Sequence, residues 1–209
     1  MFRTRMRAAI GHIGLALREP EAFALKWHTT EAAYHWSVFA ALIATAIAGT
    51  TIYGLTMGLL ESPARMPVCA LACTVAAGIG WGLPLPALYI LNSASGSNLR
   101  ASTMLLAALV TTSWGGLAMI ASVPISIFFS AAIPIPWFVL LVHLTVFAGV
   151  GVAMVDTFAR VMARLEPARG RMPAVWLVLV GAIGAELFYA FGLFNFLAIT
   201  HSPMWTVPT

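Results

Sequence analysis

Residues 101–155 read ASTMLLAALVTTSWGGLAMIASVPISIFFSAAIPIPWFVLLVHLTVFAGVGVAMV, a run of 55 residues without Asp, Glu, Lys or Arg. A helix needs roughly 20 apolar residues to cross a hydrocarbon layer about 30 Å thick. This run is therefore too long for one crossing and too short for three with their loops. It divides at Ile133-Pro134-Ile135-Pro136, where two prolines remove backbone donors and stop a helix. The division predicts two spans, at about 102–130 and 137–160.

The same reading extends in both directions. No charge occurs between Glu31 and Glu61, and Tyr34 and Trp36 stand at the start of that stretch as interfacial anchors. It predicts a first span at about 34–59. A second runs from about 67 to 91 and ends in the turn-rich Asn92-Ser93-Ala94-Ser95-Gly96-Ser97-Asn98. A fifth follows Pro173, at about 173–199, and leaves a short tail at 200–209. Composition agrees: 9% of the residues are charged and 61% hydrophobic, where a soluble domain carries about 25% charged.

Ten of the eleven basic residues fall on one side of this pattern. Arg3, Arg5, Arg7, Arg18 and Lys26 precede the first span, Arg100 lies in the second gap, and Arg160, Arg164, Arg169 and Arg171 flank the fourth. Only Arg65 lies in an odd-numbered gap. By the positive-inside rule the N-terminus is cytoplasmic and the C-terminus outside. Ten Arg against one Lys suit a GC-rich bacterial coding sequence, so the expected membrane is the bacterial inner membrane. The net charge of +4 is explained by anionic lipid headgroups at the span ends, and no nucleic-acid partner is expected.

The fold class expected is thus all-α: a polytopic bundle of five transmembrane helices, N-in and C-out, with residues 1–30 as a cytoplasmic segment. Within that segment Phe2, Met6, Ile10, Ile13 and Leu17 recur at helical spacing among Arg3, Arg5 and Arg7. That pattern predicts an amphipathic helix lying on the membrane surface. A cleaved signal peptide is disfavoured, because His12 interrupts the apolar core and Arg18-Glu19-Pro20-Glu21 follows it at once.

Glu186 is the most costly residue of the chain. It lies about 20 Å into the fifth span by helical rise, past the midplane toward the outside. An ionised carboxylate there costs roughly 2.5–3.5 kcal/mol or more, so it must be protonated, paired or facing water. His143 lies about 27 Å from the inner end of span four. Spans four and five, joined by a short Arg-rich loop, are expected to pack side by side with His143 within about a turn of Glu186 in height, which puts a Glu186–His143 hydrogen bond within reach. Two readings follow: a proton relay or cation site, or a neutral pair that locks two helices together.

Trp81-Gly82-Leu83-Pro84-Leu85-Pro86 disrupts span two in its inner half. Freed carbonyls at that depth must be covered by protein or line a cavity. Broken spans of this kind hold substrate in several transporter folds, although a simple kink is the commoner outcome. Gly54 with Gly58, and Gly78 with Gly82, each put two glycines one turn apart, suited to internal packing or to a dimer interface.

Other constellations are blander. Cys69 and Cys73, four apart, are poorly placed for a mutual disulfide and lack the further ligands a metal site needs. Asp156 and Arg160 form an i,i+4 surface pair. Thr111, Thr112 and Ser113 are expected to bond back to their own helix. His28 and His35 stand at the cytoplasmic edge and His143 near the opposite leaflet, so no two histidines suit a haem; a single-histidine pigment ligand at His143 is the remaining cofactor reading. No cofactor or metal is expected. No nucleophile with a base, phosphate loop or metal cluster is recognisable, so an enzyme is not expected.

A cytoplasmic segment, five closely spaced apolar helices and a short outer tail resemble, across the whole chain and by topology alone, the Yip family of small five-span membrane proteins. The Asp-Leu-Tyr-Gly-Pro type of motif of its eukaryotic members is replaced here by Arg18-Glu19-Pro20-Glu21-Ala22-Phe23. The resemblance implies a non-catalytic scaffold or adaptor. With the missing catalytic inventory, the leading expectation is a scaffold, adaptor or accessory subunit. It would bind other membrane proteins or copies of itself, with Arg3, Arg5, Arg7, Arg164, Arg169 and Arg171 as cytoplasmic docking residues. The rival is a small proton- or ion-coupled transporter or channel using Glu186, His143 and the break marked by Trp81, Pro84 and Pro86.

Overall fold

A computed structural model describes residues 11, 14–29, 36–94, 96–167 and 175–191, without the side chains of 60, 61, 91, 175–180 and 188. Every regular element among these is helical. In chain order they are α1 (Pro20–His28), α2 (Trp36–Glu61), a single 3-10 turn (Pro63–Arg65), α3 (Met66–Gly82), α4 (Pro84–Ala94), α5 (Ala101–Ala132), α6 (Pro136–Leu165) and α7 (Val175–Ala190).

Proline punctuates the chain. Pro20, Pro63, Pro67 and Pro136 occupy the first or second position of their helices, where the missing N–H is one that no helix would pair. The break inside residues 101–155 falls where the two prolines predict it: α5 ends at Ala132 and α6 begins at Pro136. Pro124 is different, since α5 continues through it. The turn after α4 closes by a Schellman motif, with the Gly96 N–H on Ser93 O at 2.9 Å and the Ser97 N–H on Asn92 O at 3.0 Å. Gly96 sits there at φ +89°, a conformation open chiefly to glycine.

Among the described residues four stretches are long and apolar enough to cross a membrane: Trp36–Leu59, Pro63–Ala94, Ala101–Ala132 and Pro136–Leu165. They make the chain an integral membrane helix bundle, and their bounds match the first four expected spans to within about five residues. Of the fifth stretch the sixteen residues of α7 are described; 173–174 and 192–199 lie outside the described residues, as does the tail. Arg3, Arg5, Arg7, Arg169, Arg171 and the surface-helix segment 1–10 also lie outside them.

The bundle is organised around α2, which packs most extensively on α5 and next on α3. Gly49 and Gly116 make the first contact, a backbone-on-backbone crossing at which a Cβ on Gly116 would stand 2.7 Å from Thr45 O. Gly54 makes the second, since a Cβ there would lie 2.6 Å from Cys69 O, and Gly58 abuts Met66. The pair Gly54 and Gly58 is thus used for internal packing, whereas Gly78 and Gly82 meet nothing within 4 Å. Next, α6 lies on α5, where Gly115 admits the Met154 side chain. Across one end of α5 and α6 packs α1, burying Phe23 and Ala24 completely.

One expected adjacency is corrected. The fifth stretch does not pair chiefly with span four: α7 packs on α3, and more lightly on α4. Small residues explain the choice, because Gly80 comes within 3.5 Å (Cβ position to Cα) of Gly184. The neighbours of α6 are α5 and α1 instead.

Candidate functional site

Three uncharged polar side chains meet inside the bundle. Tyr53 of α2, Ser126 of α5 and His143 of α6 are each fully buried. The Tyr53 hydroxyl hydrogen-bonds with His143 Nδ1 at 2.8 Å and with Ser126 Oγ at 3.2 Å. The Tyr53 ring meets the His143 ring edge-on at 5.7 Å and the Phe147 ring at 5.3 Å. Its surroundings are soft and apolar: Met57, Cys69, Cys73, Met119 and Met154 belong to the same cluster. A phenol, an imidazole and a hydroxyl can exchange donor and acceptor roles, so the trio ties three helices together with no charge inside the bundle.

Chain geometry sets the height of this knot. His143 is seven residues into α6, Tyr53 eight from the end of α2 and Ser126 six from the end of α5, all measured from the ends joined by the loops at 62–65 and 133–135. The trio therefore lies about 10 Å below that end of the bundle.

The structure does not bring Glu186 to it. Glu186 is exposed on α7, two residues beyond Gly184, and Gly184 faces Gly80 near the middle of the 32-residue stretch Pro63–Ala94. Glu186 is thus within about 3 Å of mid-length, and His143 lies roughly 12 Å higher. The expected common depth fails because α6 extends to Leu165, which places His143 farther from the inner end than a span stopping at 160 would.

The Trp81–Pro86 segment is a one-residue interruption between α3 and α4. Leu83 separates α3 from α4 yet keeps helical angles (φ −64°, ψ −44°) and donates its N–H to Ile79 O at 2.8 Å. Trp81 packs edge-on against Phe158 at 6.0 Å, and Leu85 joins it on the cluster of Leu88, Leu99 and Met104. Pro84 is buried and Pro86 exposed.

At the opposite end Glu166 closes the α4–α5 turn. Its Oε1 accepts the Ser97 hydroxyl at 2.7 Å and the Asn98 N–H at 3.1 Å, while Asn92 Nδ2 donates to Ser97 Oγ at 2.9 Å. Arg160 pairs with Asp156 at 3.2 Å as the spacing predicts, and also lies 3.6 Å from Glu21 on α1. Arg164, the described member of the expected docking set, is exposed and lines a surface groove of about 390 Å³ with Glu19, Glu21, Ala22, Leu25 and Lys26. Thr111 and Thr112 bond back to Ala107 O and Leu109 O, but the buried Ser113 Oγ finds no partner among the described residues. Cys69 and Cys73 are both buried, and no disulfide joins them. Among the described residues no three of His, Cys, Asp and Glu come together as a metal site.

Tyr53 and Ser126 were not singled out by motif. Their signals are faint: Tyr53 is a polar-tipped aromatic deep in an uncharged run, and Ser126 follows the in-helix Pro124 by two residues. Comparison with protein-family models, with curated proteins and with solved structures finds no match to this chain.

Proposed function

We propose that this chain is a non-catalytic integral membrane protein, a scaffold, adaptor or accessory subunit that acts through contacts with other membrane proteins or with copies of itself. The observation that carries the reading is Glu186, exposed on α7 at about the mid-height of the bundle. A lone carboxylate facing lipid costs roughly 2.5–3.5 kcal/mol or more, a cost that a hydrogen-bonding partner helix offsets. The described part of α7 is otherwise uncharged, so the energetic reason to bind is concentrated at one position. The proposal includes five spans in the bacterial inner membrane with a cytoplasmic N-terminus and an outside C-terminus. Ten of eleven basic residues on one side of that arrangement support it. The topological resemblance to the Yip family points the same way.

Mass determination after extraction in mild detergent tests the reading. A stable single chain of 22.2 kDa with no co-purifying protein contradicts it.

The Tyr53–His143–Ser126 contact favours a second reading, a small proton- or ion-coupled transporter, because it supplies linked proton-exchanging groups inside the bundle. Proton flux into liposomes, compared with Glu186→Gln and Tyr53→Phe, decides between the two. Flux that is absent, or unchanged in both variants, removes the transporter.

A further inference from the structure

We infer that the outward face of α7 is a two-fold symmetric interface for a second copy of this chain, with the two Glu186 side chains paired at its centre. The inference deepens the contact-based function proposed above, on which it rests, by naming the partner. Gly181, Ala182, Ala185, Glu186 and Tyr189 are all exposed. Positions 181, 185 and 189 form one row along the helix and 182, 186 and 190 the next, so these residues share a face. Apart from Glu186 and Tyr189 nothing on it projects beyond a methyl group, which lets a second backbone approach closely.

Among the described residues no cation is placed at the height of Glu186. The described Lys and Arg residues, Arg18, Lys26, Arg65, Arg100, Arg160 and Arg164, all lie outside the helices or within a few turns of their ends. A carboxyl group, however, can complete itself. In its protonated form it has one donor and spare acceptors, so two of them satisfy each other through reciprocal O–H···O bonds and leave no net charge in the hydrocarbon. A two-fold axis along the membrane normal brings the same residue of two copies to the same height, so Glu186 meets its own counterpart. A different partner would need a donor placed at that one depth.

Cysteine cross-linking in native membranes tests this. In a Cys69→Ala/Cys73→Ala background, single cysteines replace Ala185 on α7, Gly78 on α3 or Val152 on α6, three exposed positions near mid-length. Oxidation is expected to link two copies through Ala185→Cys and not through the other two. Adding Glu186→Gln, whose amide pairs with itself in the same way, should keep the cross-link, whereas Glu186→Leu should lower its yield about tenfold. Trp fluorescence of the Leu variant checks that the bundle is intact, as expected for a change at an exposed position. Cross-linking through Gly78→Cys or Val152→Cys instead, or a yield unaffected by Glu186→Leu, overturns this inference and leaves the scaffold reading standing. The same holds if none of the three cross-links while the purified protein carries a second, different chain. No cross-link together with a 22.2 kDa monomer overturns both.

Discussion

Gly49→Ala adds one methyl group at the tightest point of the bundle. The new Cβ would fall on the backbone of Gly116, and neither helix has a side chain there that could rotate away. The α2 and α5 axes must separate by about 1 Å to restore van der Waals distance. If some 40 atom pairs cross that interface at about 0.15 kcal/mol each, losing about 40% of their attraction costs roughly 2–3 kcal/mol. Better helix propensity returns up to about 1 kcal/mol, leaving a net loss of about 1–3 kcal/mol. Gly78→Ala is the matched comparison, because nothing lies within 4 Å of its added Cβ. It gains the propensity and loses nothing, for a change between zero and about 1 kcal/mol in favour of folding. Reversible unfolding in mixed micelles, followed by the fluorescence of the seven Trp residues, measures both. A Gly49→Ala protein as stable as Gly78→Ala would refute the glycine crossing.

Three further outcomes are expected. Tyr53→Phe removes the hydroxyl shared by His143 and Ser126, and should destabilise the bundle by about 1–2 kcal/mol in the same unfolding assay, since hydrogen bonds between membrane helices average about 0.6 kcal/mol and reach about 1.7. Glu166→Ala deprives Ser97 and Asn98 of their acceptor, and should cost about 1–3 kcal/mol and raise amide exchange in the α4–α5 turn, whereas Glu166→Gln, which keeps an acceptor oxygen, should cost less. For sidedness, an impermeant maleimide should label Ala64→Cys on intact cells and Asn98→Cys only after the membrane is opened, the native cysteines being buried; the reverse pattern would invert the topology.

The spans were readable because membrane burial leaves a coarse signal: charge disappears for 29 residues before Glu61 and for 55 after Arg100. Helix stops at Pro134 and Pro136 were readable for a local reason, the lost donor and the fixed φ. Which helix lies beside which was not. Chain order suggests that α7 follows α6 in space, but a connecting segment of nine residues, 166–174, is long enough to let small-residue contacts such as Gly80 with Gly184 decide instead. Glycine pairs were likewise half legible: the one-turn spacing marked Gly54 and Gly58, while Gly49 and Gly116 meet from different helices and share no local pattern. The same limit hid Tyr53 and Ser126, 73 residues apart in sequence and 3.2 Å apart in space. His143 is conspicuous in the sequence for its chemistry, but span order does not reveal its partner. Glu186 stood out for its cost, and the fold adds that it faces outward.

The most direct test of the account is a count of chains per particle in a lipid bilayer, by stepwise photobleaching of singly labelled protein at low density. Two steps, falling to one with Glu186→Leu and remaining two with Glu186→Gln, are the result predicted. One step for the unaltered protein, with no second protein bound, would contradict it.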